Sequence, residues 1–244
     1  MIANVRRVTT ALTLRIGASL PREATKPALP TTSTAARRAN WPACLGFPVS
    51  HLSLGAYTPR RRVARLTGPA AVVVALGGIL TATALSPTFS WGGSALSDLG
   101  VTPATAWLFN GSLVVGGLVG APYAWALWSA AADPLSHLRA AAYLLTLASM
   151  AGVGLVPAGR SLHLPIALAF FTLAALTAIV DGVARFRLTS GKLALLSGVL
   201  APVAWPVWML WLGENSIAVP EFVGAVLFGL WVVHLSPERP GRPS

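Results

Sequence analysis

Six long apolar segments, separated by charged residues, determine what this chain can fold into. A helix that crosses a bilayer needs about 20 consecutive and mostly uncharged residues. From residue 66 onward, the charged residues lie almost entirely between such segments. The predicted spans lie at about 68–86, at about 104–129, between Arg139 and Arg160, at about 163–183, between Lys192 and Glu214, and at about 217–235. The sequence therefore predicts an all-α integral membrane protein, with six transmembrane helices in a compact bundle over residues 63–238.

The overall composition excludes an ordinary soluble domain. The chain is 55% hydrophobic and 10% charged, whereas soluble domains carry about 25% charged residues. Its single cysteine, Cys44, excludes a disulfide framework and a cysteine-based zinc module, because both need paired thiols.

The basic charge is concentrated in residues 1–62, which we interpret as a disordered tail. The chain has a net charge of +11, and this segment combines many Arg residues and prolines with one acid, Glu23. A start codon assigned too early, a targeting peptide and an arm on the membrane surface are the alternative interpretations. Nucleic-acid binding is disfavoured, because it needs basic charge on a folded surface. Residues 239–244 are expected to form a short cytoplasmic tail.

The distribution of Lys and Arg between the connections predicts the orientation of the bundle. Cytoplasmic connections are enriched in these residues. One side of the predicted membrane carries only Arg160. The other side carries Arg60, Arg61, Arg62, Arg65, Arg139, Arg185, Arg187, Lys192, Arg239 and Arg242. We therefore expect both termini in the cytoplasm. The expected location is the plasma membrane of a prokaryotic cell.

Four polar residues are expected to converge at the outer side of the bundle. Asp98 precedes the second span, Asn110 lies within it, His163 begins the fourth span, and Glu221 lies in the first turn of the sixth. Ionisable groups at membrane depth are costly and often functional. The four residues predict a small polar pocket near the outer leaflet. Each also has a local structural interpretation, as a cap, an interhelical hydrogen bond or a stabilised helix terminus.

Known catalytic patterns give little support for an enzyme. His137 and His234 are predicted on the inner side and His163 on the outer side, so that the bilayer separates possible zinc ligands. The sequence contains no HExxH, GxSxG, CxxC or phosphate-binding loop. We therefore assign no catalytic residue, metal or cofactor. Asp181, four residues before Arg185, predicts a local ion pair at the inner rim.

Several segments carry a resemblance to a known family. They are FSWGGSALSDLG at 89–100, WLFNG at 107–111, GRSLHLPIALAFF at 159–171 and AVPEF at 218–222. In this order, they resemble the membrane family filed as domain of unknown function 998, over roughly residues 66–236. The resemblance implies a six-span architecture and draws attention to Asp98, Asn110, His163 and Glu221. It implies no activity.

Three functions remain open from the sequence. In the first, the outer pocket binds or moves a small solute or a lipid headgroup, with the lipid bilayer as the surrounding partner. In the second, the same residues form a membrane-embedded lipid hydrolase. In the third, the polar groups hold the helices together, and the protein is a structural or assembly subunit of a membrane complex. The sequence does not predict an oligomeric state.

Overall fold

Among the residues that the structure describes, six helices have the length and composition to span a membrane. The structure, a computed structural model, describes residues 57–211 and 216–238. The helices are α1 (Tyr57–Leu85), α2 (Ala106–Ser129), α3 (Pro134–Leu155), α4 (His163–Ala184), α5 (Thr189–Trp211) and α6 (Ala218–Leu230). A short 3-10 helix, Leu96–Gly100, lies between α1 and α2, and a π-helical turn, Trp231–Leu235, continues α6. The prediction of an all-α, six-span membrane protein is confirmed.

The first helix begins earlier than the predicted span. It starts at Tyr57, inside the segment 1–62 that we assigned to the tail. Pro59 lies in its first turn, where a missing backbone N–H costs no helical hydrogen bond. The predicted disorder of residues 1–56 and the predicted tail 239–244 lie outside the described residues.

The third helix also begins before its predicted boundary. Asp133 caps it by accepting a hydrogen bond from the Ser136 backbone N–H at 3.0 Å, and Pro134 occupies its first position. Arg139 therefore lies inside the helix, although we had used it as a boundary. Arg139 is only 4% exposed. It can lie inside the bundle because Asp181 compensates its charge.

Successive helices are neighbours, and the last helix closes the arrangement by contacting α1. We call the end of the bundle that contains the connections 86–105 and 156–162 the lid end. The opposite end, with the connections 130–133 and 185–188, is the arginine end. Helices α1, α2, α3, α4 and α6 surround a common interior, and α5 packs against α4 and α6.

Gly116 and Gly120 lie four residues apart on α2 and face the interior of the bundle. A Cβ atom on Gly116 would lie 3.2 Å from the Ala75 Cβ, and one on Gly120 would lie 3.0 Å from the Leu147 side chain. The pair therefore allows α2 to approach both α1 and α3 closely.

Candidate functional site

A central cavity of about 80 Å³ lies between α1, α2, α3, α4 and α6. Most of its lining is aliphatic or aromatic, including Ile79, Leu113 and Met150. Three polar side chains reach it from the lid end, namely Ser97, His163 and Glu221. Tyr143 lines it closer to the arginine end. The cavity is therefore an apolar chamber whose acidic and imidazole groups are near the lid end.

Glu221 is the buried acid of this cavity. It lies in the first turn of α6 and is 7% exposed. Its Oε2 accepts a hydrogen bond from the Leu96 backbone N–H at 2.6 Å. The N-terminus of a helix favours negative charge, and a backbone donor adds to this preference. Glu221 therefore joins α6 to the 3-10 helix while its side chain lines the cavity.

His163 is oriented by a backbone carbonyl. Its Nδ1 lies 2.7 Å from the carbonyl oxygen of Val156, at the start of the α3–α4 connection. A carbonyl oxygen can only accept, so Nδ1 carries a proton in this hydrogen bond. In the neutral ring, Nε2 is then an acceptor. The half-buried ring thus adds a second acceptor to the set formed with Glu221.

Asp98 and Asn110, the other two predicted pocket residues, do not line the central cavity. Asp98 is exposed, and its Oδ2 accepts from the Ala95 backbone N–H at 2.8 Å in a capping arrangement of the 3-10 helix. Asn110 Nδ2 donates to the Gly100 carbonyl at 2.8 Å. Both residues shape the connection that covers the lid end. The four predicted residues therefore divide into a cavity pair, His163 and Glu221, and a loop pair.

A hydrogen-bonded clasp holds this connection against the start of α6. The Ser216 hydroxyl lies 2.7 Å from the Trp91 carbonyl and 2.6 Å from the Ser94 carbonyl. The Ala218 backbone N–H donates to the same Ser94 carbonyl at 3.1 Å. Together with the Glu221–Leu96 hydrogen bond, these contacts close the lid end over the cavity.

At the arginine end, Asp181 is the centre of a buried polar network that the sequence predicted only in part. The predicted ion pair with Arg185 is present. Arg139 of α3 also binds Asp181, with Nη1 3.1 Å from Oδ1, and the Trp231 indole Nε1 donates to Oδ2 at 2.8 Å. Asp181 is 0% exposed. The only signal for these extra partners was the presence of Arg139 and Trp231 near the same predicted side, which does not specify contact.

A second feature, which we call the lateral groove, lies between α4, α5 and α6. Its volume is about 430 Å³, and its lining is almost entirely apolar. Phe171 and Phe228 line both the lateral groove and the central cavity. Sequence reasoning missed this groove, because hydropathy identifies membrane helices without specifying the gaps between them.

Backbone groups orient the polar side chains at the lid end. Asp98 and His163 each hydrogen-bond to a backbone group, at 2.8 Å and 2.7 Å respectively. Within residues 57–211 and 216–238, no three His, Cys, Asp or Glu side chains are grouped as metal ligands. The central cavity therefore combines hydrogen-bond acceptors near the lid end with an otherwise largely apolar lining.

Comparison with known proteins gives one match. The model of a family described as "Protein of unknown function (DUF998)" matches residues 69–236, which is more than half of the chain and includes most or all of every span. Neither the curated proteins nor the solved structures contain a match.

Proposed function

Because this chain belongs to the DUF998 family, as its sequence motifs led us to expect, we propose a function for its six-span domain. The central cavity binds the polar head of a membrane amphiphile, and that head is a hydrogen-bond donor, either a hydroxyl or an amine. This proposal refines the predicted pocket for a small solute or lipid headgroup.

One observation carries the proposal, namely that Glu221 and His163, together with Ser97, face a largely apolar chamber from the lid end. Glu221 supplies carboxylate acceptors, and the Nε2 of His163 is an acceptor when the ring is neutral. A buried acceptor that loses water needs a donor in return. Hydroxyl and amine heads provide donors, and an ammonium head also compensates the charge of an ionised Glu221. An ionised Glu221 would repel a carboxylate or phosphate head.

The apolar lining supports an amphiphile over a freely soluble solute. Ile79, Phe109 and Phe170 contribute hydrocarbon surface to the same cavity. Burial of apolar surface is favourable by about 25 cal/mol per Å². An attached hydrocarbon portion therefore contributes affinity that a small polar solute lacks.

The proposal places the lid end at the outer leaflet of a prokaryotic plasma membrane. Among the described side chains, the arginine end contains Arg65, Arg139, Arg185, Arg187 and Lys192, whereas the lid end contains Arg160. This asymmetry supports a cytoplasmic arginine end. The ligand head would then be taken from the outer half of the membrane.

Photolabelling of the purified full chain in lipid vesicles tests this function. The probes are hexadecylamine, hexadecanol and hexadecanoic acid, each with a diazirine near its polar head. We expect the amine and the alcohol to label peptides that line the central cavity, and the acid to label them weakly. Glu221→Gln keeps an acceptor for the Leu96 N–H but removes the charge. It should reduce amine labelling about tenfold, which corresponds to the loss of a charge-assisted hydrogen bond of about 1.4 kcal/mol.

Asp133→Asn is the matched control, because Asp133 is an exposed acid at the arginine end and outside the cavity. It should label like wild type. Equal labelling by all three probes, or unchanged amine labelling in Glu221→Gln, would refute the proposal. Release of fatty acid from vesicle phospholipid, lost in His163→Gln, would instead support the hydrolase alternative.

A further inference from the structure

We propose that the hydrocarbon chain of the bound amphiphile leaves the central cavity between Phe171 and Phe228 and lies in the lateral groove. The ligand would then have its head inside the bundle and its tail between α4, α5 and α6. This inference rests on the proposed function and adds the route by which the ligand reaches the bilayer.

The two volumes support a ligand that occupies both spaces. The central cavity measures about 80 Å³ and the lateral groove about 430 Å³. By this measure of volume, a cavity needs about 10–15 Å³ to hold one water molecule. The central cavity thus has room for a polar head and the first few carbons, whereas the groove has room for a longer chain.

Phe171 and Phe228 form the partition between these spaces, since both rings line both of them. Phe171 makes an edge-to-face contact with Trp205 of α5, with ring centroids 5.5 Å apart. It also contacts Phe170, whose ring lies 6.3 Å from that of Phe228. A partition of side chains can open by rotation, without moving a helix.

Gly224 controls the space beside this partition. A Cβ atom there would lie 3.1 Å from Phe171 Cδ1 and 3.2 Å from Cε1. Its missing side chain therefore leaves room against one edge of the ring. A larger residue at position 224 would press on Phe171 and fill part of the passage.

Helix α5 packs closely on α4 as far as Gly198 and leaves a gap over its next turns. Towards the arginine end, a Cβ atom on Gly182 would lie 2.5 Å from the Leu195 nitrogen, so the two backbones are in contact. At the lid end, Trp208 Nε1 donates to the Ser216 carbonyl at 2.8 Å. Between these attachments, Pro202 and Trp205 line the lateral groove.

The surroundings of the groove identify its occupant as a lipid chain. Every residue that lines it belongs to α4, α5 or α6, within segments long and apolar enough to cross a membrane. Of the six spans, that of α5 is the least buried against protein. Groove and cavity adjoin at the two shared rings. When these rings rotate, hydrocarbon that enters from the bilayer can lead a polar head towards Glu221.

Three amine probes test the route in the full chain in lipid vesicles. Two are hexadecylamines, with a diazirine near the amine or near the end of the chain. The third is a diazirine-bearing butylamine, short enough for the central cavity alone. In wild type, we expect the label near the amine on cavity peptides containing Leu96 and Ala225. The label near the chain end should fall on groove peptides containing Ala201 and Trp205.

Gly224→Val should reduce labelling by both hexadecylamines at least fivefold and leave butylamine labelling within twofold of wild type. Retained butylamine labelling shows that the variant is folded. Gly77→Val is the matched control, because a Cβ atom on Gly77 meets nothing within 4 Å. If the valine variant fails to fold, Gly224→Ala is used instead, because it adds only one carbon. It should reduce hexadecylamine labelling by a smaller factor and leave butylamine labelling unchanged.

Two results would overturn the route. One is labelling by the chain-end probe on Val232 and Tyr143, which would place the chain along the cavity towards the arginine end. The other is unchanged hexadecylamine labelling in a folded Gly224 variant. Failure of the proposed function is a different result, in which the butylamine also fails to label the wild-type cavity.

Discussion

At the scale of single residues, the buried charges differ in what they are bound to. Asp181 is compensated by two guanidinium groups and an indole N–H, all from protein. Glu221 accepts a hydrogen bond from a backbone N–H, and the Glu221 side chain lines a cavity. Removing a partner from a closed ion network leaves an uncompensated charge. Removing the charge from a cavity wall changes mainly what the cavity can bind.

Replacement of Asp181 should therefore be strongly destabilising. In Asp181→Asn, the Arg139 guanidinium stays buried without its countercharge, and such losses cost about 3–5 kcal/mol. Thermal and denaturant unfolding in one detergent would measure the change. Trp231→Phe, which removes one hydrogen bond and keeps an aromatic ring, should cost about 1 kcal/mol. Equal stability of Asp181→Asn and wild type would show that the network contributes little.

The sequence predicted the i,i+4 pair of Asp181 with Arg185, because a helix brings such residues together. It could not predict Arg139 or Trp231 as partners, since these lie 42 and 50 residues away in the chain. The same limit applies to the hydrogen bond between Glu221 and Leu96, 125 residues apart. Topology alone placed these groups at the correct end of the bundle, whereas their contacts depend on helix rotation and packing.

At the scale of helices and connections, hydropathy was sufficient to predict all six spans. It misplaced the start of α3, because a one-dimensional reading treats Arg139 as a boundary although the fold buries and pairs it. It also assigned the end of the tail, from Tyr57, to disorder. The 3-10 helix Leu96–Gly100 and its contacts with α6 were not predicted in detail, since short connecting segments depend on tertiary contacts.

The cap of α3 gives a pH-dependent prediction. Hydrogen bonds from the Ser136 hydroxyl and backbone N–H lower the pKa of Asp133 below its ordinary value. The ionised cap therefore stabilises α3 at neutral pH, and this contribution disappears as the pH falls through the lowered pKa. We expect wild type to melt above Asp133→Asn at neutral pH, with the two melting temperatures converging in acid. A difference that grew towards acid would contradict this.

At the scale of the whole molecule, the predicted orientation determines which leaflet would supply the proposed ligand. Arg160 and Arg187 are exposed in the connections at opposite ends of the bundle. In a Cys44→Ala background, Arg160→Cys should react with a membrane-impermeant maleimide on intact cells. Arg187→Cys should react only after permeabilisation, because the arginine end is expected in the cytoplasm. The reverse labelling would place the lid end at the inner leaflet.

Because α6 is synthesised last, the polar contacts that it makes are the last to form. Translation delivers α3 and α4 before α6, so the Arg139–Asp181 and Asp181–Arg185 pairs can form early. The Trp231 indole and the Leu235 carbonyl, which joins Arg185 at 2.6 Å, are delivered only with the last helix. The Leu96 N–H likewise has its acceptor, Glu221, only after α6 has been synthesised. A nascent chain that stops before α6 therefore holds unsatisfied polar groups at both ends of an open bundle, and insertion of the last helix is the step that satisfies them.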